Sequence, residues 1–156
     1  MAARGYVYQI QTIKKILKQT NENCEETLPI YNYLKLVQIE LQMKEKLFKN
    51  DPHKFKISLK EYAHHNLEKM VEDLFEPVKK ELAEEAKKCL KDINTFLKEL
   101  TYNYGSHHLN KISYPYLRYV DCYDEETQKM CEEAKKYLEN ISEERKKFEE
   151  LLKGIL

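Results

Sequence analysis

Five histidines, four cysteines and twelve tyrosines are the side chains of this sequence best suited to chemistry. Glu61 and His64 stand three residues apart. On a helix that step puts both on one face, as in di-iron bundles, which use it twice together with two further inward carboxylates. No second copy exists: Asn50, Tyr104 and Gly105 occupy the positions three before His53, His107 and His108. Glu61 also completes a capping box with Ser58, so a place on a helix surface is expected for this pair. The adjacent pairs His64-His65 and His107-His108 cannot chelate as units, because neighbours on a helix point about 100° apart. A metal would need one ring of each pair to meet in space. No metal ligand and no cofactor is therefore expected, and a metal or small-ligand bundle built on the histidine pairs is the last of three functional readings.

The cysteines lie at 24, 89, 122 and 131 and form no CxxC pair, so zinc-site spacing is absent. Cys89 and Cys131 fall on apolar helical stripes, where buried free thiols are expected. The alternative is a secreted, disulfide-bonded bundle, with which the sequon Asn140-Ile141-Ser142 would agree. Phosphate-cradling glycine loops and the nucleophile elbow are missing. Arg4, Arg118 and Arg145 have no histidine at the short spacing a bundle ribonuclease would need. No catalytic residue is expected, and the chain reads as a non-enzyme.

The most unusual stretch is Tyr102 to Tyr123. Tyr102, Tyr104, Tyr114, Tyr116, Tyr119 and Tyr123 put six of the twelve tyrosines into 22 residues, with His107, His108, Lys111 and Arg118 between them. Tyrosine gives a large contact area at low entropic cost and carries a hydroxyl, which favours it at recognition surfaces. These six tyrosines and Arg118 are the candidate partner-binding residues. The competing reading is a long connection whose rings pack back over the end of the bundle.

The elements that position this segment follow from hydrophobic periodicity. Tyr6, Ile10, Ile13, Leu17 and Thr20 form one stripe, predicting a helix from about Arg4 to Thr20 that breaks at Asn21-Glu22-Asn23. A second helix is predicted over Leu28 to Lys49, with Thr27 as its N-cap and Pro29 in its first turn. Ile30, Leu34, Val37, Leu41 and Phe48 form its apolar set, with Leu36, Ile39, Met43 and Leu47 beside it. A helix apolar on most sides belongs near the bundle centre. Asn50-Asp51-Pro52 reads as a stop. A third helix is expected from the Ser58–Glu61 box through Leu74, until Pro77 kinks it or starts the next. Val78, Leu82, Ala86, Cys89, Ile93, Phe96 and Leu100 continue the stripe to Gly105. Residues 105–123 form an irregular tyrosine-rich connection. A last helix, from Asp121 or Asp124 to about Lys153, carries the seam Thr127, Cys131, Ala134, Leu138, Ile141, Phe148, Leu152 and Ile155, with Arg145 as its one polar intruder. At 1.5 Å per residue it would be about 45 Å long, enough to overhang the bundle and pair with another chain.

Composition agrees. The 156 residues suit one domain, with 42% hydrophobic and 35% charged residues. Lys+Arg and Asp+Glu are both 27, which excludes a strongly basic nucleic-acid binder and an acidic tail. Three glycines and four prolines disfavour an all-β architecture. No apolar run of about 18 residues is present, and no membrane partner is expected. The N-terminus lacks an apolar leader, so the chain reads as intracellular, in the cytoplasm. The expected fold is all-α, a single-domain helical bundle of four to six helices spanning 1–156 with a long C-terminal amphipathic helix. The expected function is a non-enzymatic interaction module, an adaptor or small subunit, that binds a partner protein or self-associates through its C-terminal helix. A nucleic-acid-associated helical subunit is the first alternative.

Overall fold

The computed structural model describes residues 2–62, 66–103, 132 and 135–156. Six helices are α1 (Ala2–Lys18), α2 (Leu28–Asn50), α3 (Pro52–Ser58), α4 (Leu67–Phe75), α5 (Lys80–Asn103) and α6 (Ser142–Lys153). A helical stretch at 135–140 precedes α6, and no strand occurs among the described residues. The fold is an all-α single domain. None of the described helices is long and apolar enough to cross a membrane.

The stripe of α1 packs as its spacing requires: Ile10, Ile13 and Leu17 are buried, mainly against α2. α2 is the central element and touches α1, α3, α4 and α6. Its innermost row is Leu36, Ile39, Met43 and Leu47, whereas Leu34, Val37 and Phe48 are half-buried and Ile30 is exposed. Of the two apolar rows, the structure thus turns the second to the core. Asn32 at the head of the inner row explains the choice, because its fully buried amide has partners only on that side. Leu67, Met70, Val71, Leu74 and Phe75 of α4, Ala83, Ala86, Leu90 and Ile93 of α5, and Phe148 and Leu152 of α6 complete one core. Phe75 and Phe148 meet there at 6.3 Å between ring centroids.

Helix ends depart from expectation in three places, and in a fourth, Asp51, the structure adds to the expected stop. Thr27 occupies the N-cap position of α2 without capping it; its hydroxyl donates backwards to the Asn21 carbonyl at 2.9 Å and closes the loop 21–27. At Asp51 the chain stops and restarts at once. The Asp51 amide donates to the Leu47 carbonyl, its Oδ1 accepts from the Lys54 amide at 3.0 Å, and Pro52 enters α3 where no amide donor is needed. The Ser58–Glu61 box does not open a helix. Ser58 ends α3, its carbonyl accepts from the amides of Glu61 and Tyr62, and the next helix starts at Leu67 with Asn66 Oδ1 accepting from the Lys69 amide. Burial of Tyr62 and Phe55 against each other rewards the turn over a continued helix. Pro77 lies in the linker 76–79 between α4 and α5, and it neither kinks a helix nor begins one.

The single long C-terminal helix is also corrected. Ile141 lies outside helical structure, between the stretch 135–140 and α6. The Leu138 carbonyl, which an unbroken helix would offer to the Ser142 amide, accepts from Asn32 Nδ2 at 2.6 Å, and the same nitrogen donates to Ser142 Oγ at 3.0 Å. Asn140 Nδ2 turns back to the Lys136 carbonyl. Of the described part of the seam, Leu138, Ile141, Phe148 and Leu152 are buried within the chain's own core, and Ile155 is half-buried against it. Thr127, Cys131 and Ala134 lie outside the described residues.

Candidate functional site

Of the candidate partner-binding residues, Tyr102 is described through its backbone alone, in the last turn of α5. Tyr104, Tyr114, Tyr116, Arg118, Tyr119 and Tyr123 lie outside the described residues, as do His64, His65, His107 and His108. The structure does describe the chain before the segment, to Asn103, and the chain that follows from residue 135. α5 leads into it with Leu90 and Ile93 in the core; the chain returns through Leu138 and Ile141 into α6, which packs on α5. The described chain on either side of residues 104–131 thus packs in one core.

Glu61 stands on a turn rather than on a helix surface, and His64 lies outside the described residues. Among the described residues no group of three His, Cys, Asp or Glu side chains is arranged to hold a metal ion. Cys24 and Cys89 are free thiols. Burial, then the nearby Glu85 carboxylate, raises the Cys89 thiol above its usual range, which makes it a poor nucleophile. Hydrogen bonds from the Thr27 side chain, and from the Thr27 and Glu26 backbone, draw the Cys24 thiol below it.

Sequence reasoning missed the buried polar centre around Arg145. Arg145 is 1% exposed. Its Nε donates to Asn32 Oδ1 at 3.0 Å, Nη1 to Glu149 Oε1 at 3.0 Å and Nη2 to Glu22 Oε2 at 3.4 Å, while the Tyr31 ring lies 5.3 Å from the guanidinium carbon. Lys35 and Lys146 flank Glu149 and Glu22 at 3.9 and 3.7 Å. Burial raises the Tyr31 phenol above its ordinary range, and Glu22 adds to the effect. The planar fork of arginine suits three acceptors on three elements, which a lysine point charge cannot match. This centre ties loop 21–27, α2 and α6 together, and each guanidinium nitrogen already has an acceptor. Its one signal in the sequence is a charged residue at a seam position.

A second polar group lies in a cleft of about 200 Å³ between α2, α3 and α4, lined by Leu47, Asp51, Lys54, Phe55, Tyr62, Asp73 and Pro77. Tyr62 Oη donates to Asp73 Oδ2 at 2.7 Å, and Lys69 Nζ reaches Asp73 Oδ1 at 3.1 Å. Burial and the Asp73 carboxylate push the Tyr62 phenol well above its ordinary range, so it stays a neutral donor. Both Asp73 oxygens are engaged, which leaves this carboxylate stabilising α4 rather than acting as a free base.

Compared with family models, with curated proteins and with solved structures, the chain matches none.

Proposed function

We propose that this chain is a non-enzymatic helical interaction module, an adaptor or small subunit of a larger assembly, and that it binds a partner protein through Tyr102–Tyr123. The observation that supports the reading is that α5, which precedes this segment, and α6, which follows it, pack on each other in one core. Tethering both ends to a rigid body lowers the ordering cost of binding. Half of the chain's tyrosines then supply the contact area that interface hot spots draw on.

The test replaces Tyr116 of the full chain with a photo-crosslinking residue, identifies the protein captured in cell extract, and purifies it. Titration calorimetry then compares the wild type with Tyr114→Ala, Tyr116→Ala and Tyr119→Ala. At least one variant weakens binding tenfold or more, about 1.4 kcal/mol, with helical circular dichroism and unfolding midpoint unchanged. Three variants that bind as tightly as the wild type overturn the proposal.

A further inference from the structure

Ile10, Ile13 and Leu17 of α1 are buried, yet they do not belong to the cluster that α2 forms with α4, α5 and α6. α1 therefore covers a second face of α2, turned away from the core. Leu34, Gln38, Leu41 and Glu45 lie along that face at alternating steps of four and three residues. At about 100° per residue, Gln38 stands about 140–180° round the helix from Leu36, Met43 and Leu47 of the inner row. Leu34, Leu41 and Glu45 are half-buried there, and Gln38 is 8% exposed.

This face is a poor match for an apolar stripe. Gln38 Oε1 is buried without a hydrogen-bond partner. Asn32, on the core side of the same helix, has both its amide atoms paired. α1 brings no polar group to the contact in return. It contains no acidic residue, Lys14, Lys15 and Lys18 are exposed, and among the described residues none of these lysines makes an ion pair. The Thr12 hydroxyl donates within its own helix, to the Tyr8 carbonyl at 3.0 Å. A stranded acceptor opposes the docked state, because it regains water once the covering helix lifts.

We infer that α1 is a releasable cover on the outer face of α2, held down by Ile10, Ile13 and Leu17 and kept loose by Gln38. Lifting it bares Leu41 and the α1 stripe, while α2, α4, α5 and α6 keep their shared core. The Glu22 carboxylate meets Arg145 Nη2 at 3.4 Å and Lys146 Nζ at 3.7 Å, which fixes loop 21–27 to α6. The hinge therefore lies before residue 22, and α1 swings as a unit. Tyr102–Tyr123 takes no part in this movement, so the inference stands or falls apart from the proposed function.

The test is native-state hydrogen exchange of the full chain, read by mass spectrometry on segments of α1 and α2. In the wild type, α1 exchanges faster than the segment around Leu36. Gln38→Leu and Gln38→Met each slow exchange in α1 about tenfold, since neither leaves an acceptor without a donor. Gln38→Glu speeds it about tenfold, since a stranded charge replaces the stranded amide. Circular dichroism checks that each variant keeps its helices, and the two apolar variants decide the matter if the glutamate variant does not fold. Wild-type exchange of α1 in both apolar variants overturns the inference. So does a folded glutamate variant whose α1 exchanges no faster, or a wild-type α1 as well protected as the segment around Leu36.

Discussion

Asn32 uses both sides of its amide on the C-terminal part of the chain: Nδ2 donates to the Leu138 carbonyl and Ser142 Oγ, and Oδ1 accepts from Arg145 Nε. A buried donor or acceptor left alone costs about 1–3 kcal/mol, whereas removing both partners is far milder. Asn32→Ala strands a carbonyl and a guanidinium nitrogen, so it lowers stability by about 3 kcal/mol in urea unfolding. Arg145→Met lowers it by about 2 kcal/mol, because Glu22 and Glu149 can turn to water while Asn32 Oδ1 loses its donor. The double variant Asn32→Leu/Arg145→Met loses less than the sum of the singles, since each change removes a group the other would strand. Strict additivity would show that these two side chains do not act as one unit. At Tyr62 the folded state holds the phenol proton more tightly than the unfolded state does. The stability this gives is complete below the ordinary tyrosine pKa of about 10 and is lost as pH rises beyond it, by up to about 1.4 kcal/mol per pH unit. The Tyr33 phenol, raised first by burial and then by Glu40, acts in the same direction, as do Lys69 and Lys87 with their carboxylate partners. Tyr62→Phe therefore costs about 1 kcal/mol at neutral pH, and it flattens the alkaline decline in unfolding free energy between pH 10 and 11. A variant that declines as steeply as the wild type would assign that decline to other groups.

Helices in this chain are set by their stripes and ended by single side chains, and the two were not equally legible. The apolar spacings of α1, α2 and α5 are local repeats, and the sequence reveals them. Which of the two rows on α2 faces the core was not readable, because it depends on Asn32 finding Leu138 and Arg145 more than a hundred residues away. The Ile141 break has the same origin: the seam from Leu138 to Leu152 is periodic, and the residue that interrupts its backbone bonding sits on another helix. Arg145 was visible as a polar intruder, yet its partners Glu22 and Asn32 leave no mark in local spacing. The Ser58–Glu61 box misled because the tertiary packing of Tyr62 on Phe55 outweighed a sound local signal. Asp51 was read as a stop, and the structure adds that it also starts α3. Asp51→Ala therefore acts at both helices. It removes the Oδ1 acceptor of the Lys54 amide and costs about 1 kcal/mol, while Asp51→Asn or Asp51→Ser restores most of the loss. Thermal unfolding of the three variants checks this, and an alanine variant as stable as the wild type would mean that Pro52 alone sets the start of α3.

At the scale of the whole molecule, the core divides the helices into those that surround it and one that lies against it. α2, α4, α5 and α6 bury Met43, Phe75, Leu90 and Phe148 in a single cluster. α1 packs mainly on α2, through Ile10, Ile13 and Leu17, with a ring contact from Tyr6 to Phe55. Burial of three aliphatic side chains contributes only about 5–9 kcal/mol to holding this 17-residue helix. α1 is therefore the element expected to open while the rest remains folded. Native-state hydrogen exchange is then expected to show two levels. Amides of α1 exchange through an opening several kcal/mol cheaper than global unfolding, and amides around Leu36, Leu90 and Phe148 exchange only at the global limit. Ile13→Ala lowers the first level by about 2–4 kcal/mol and leaves the second nearly unchanged, because its cavity lies between α1 and α2. Phe148→Ala lowers the second level by about 3–5 kcal/mol, a large share of the 5–15 kcal/mol typical of a domain. If the α1 amides instead exchange at the same free energy as those of α2, and Ile13→Ala shifts both together, α1 belongs to the same cooperative unit as the core and the two-level arrangement is wrong.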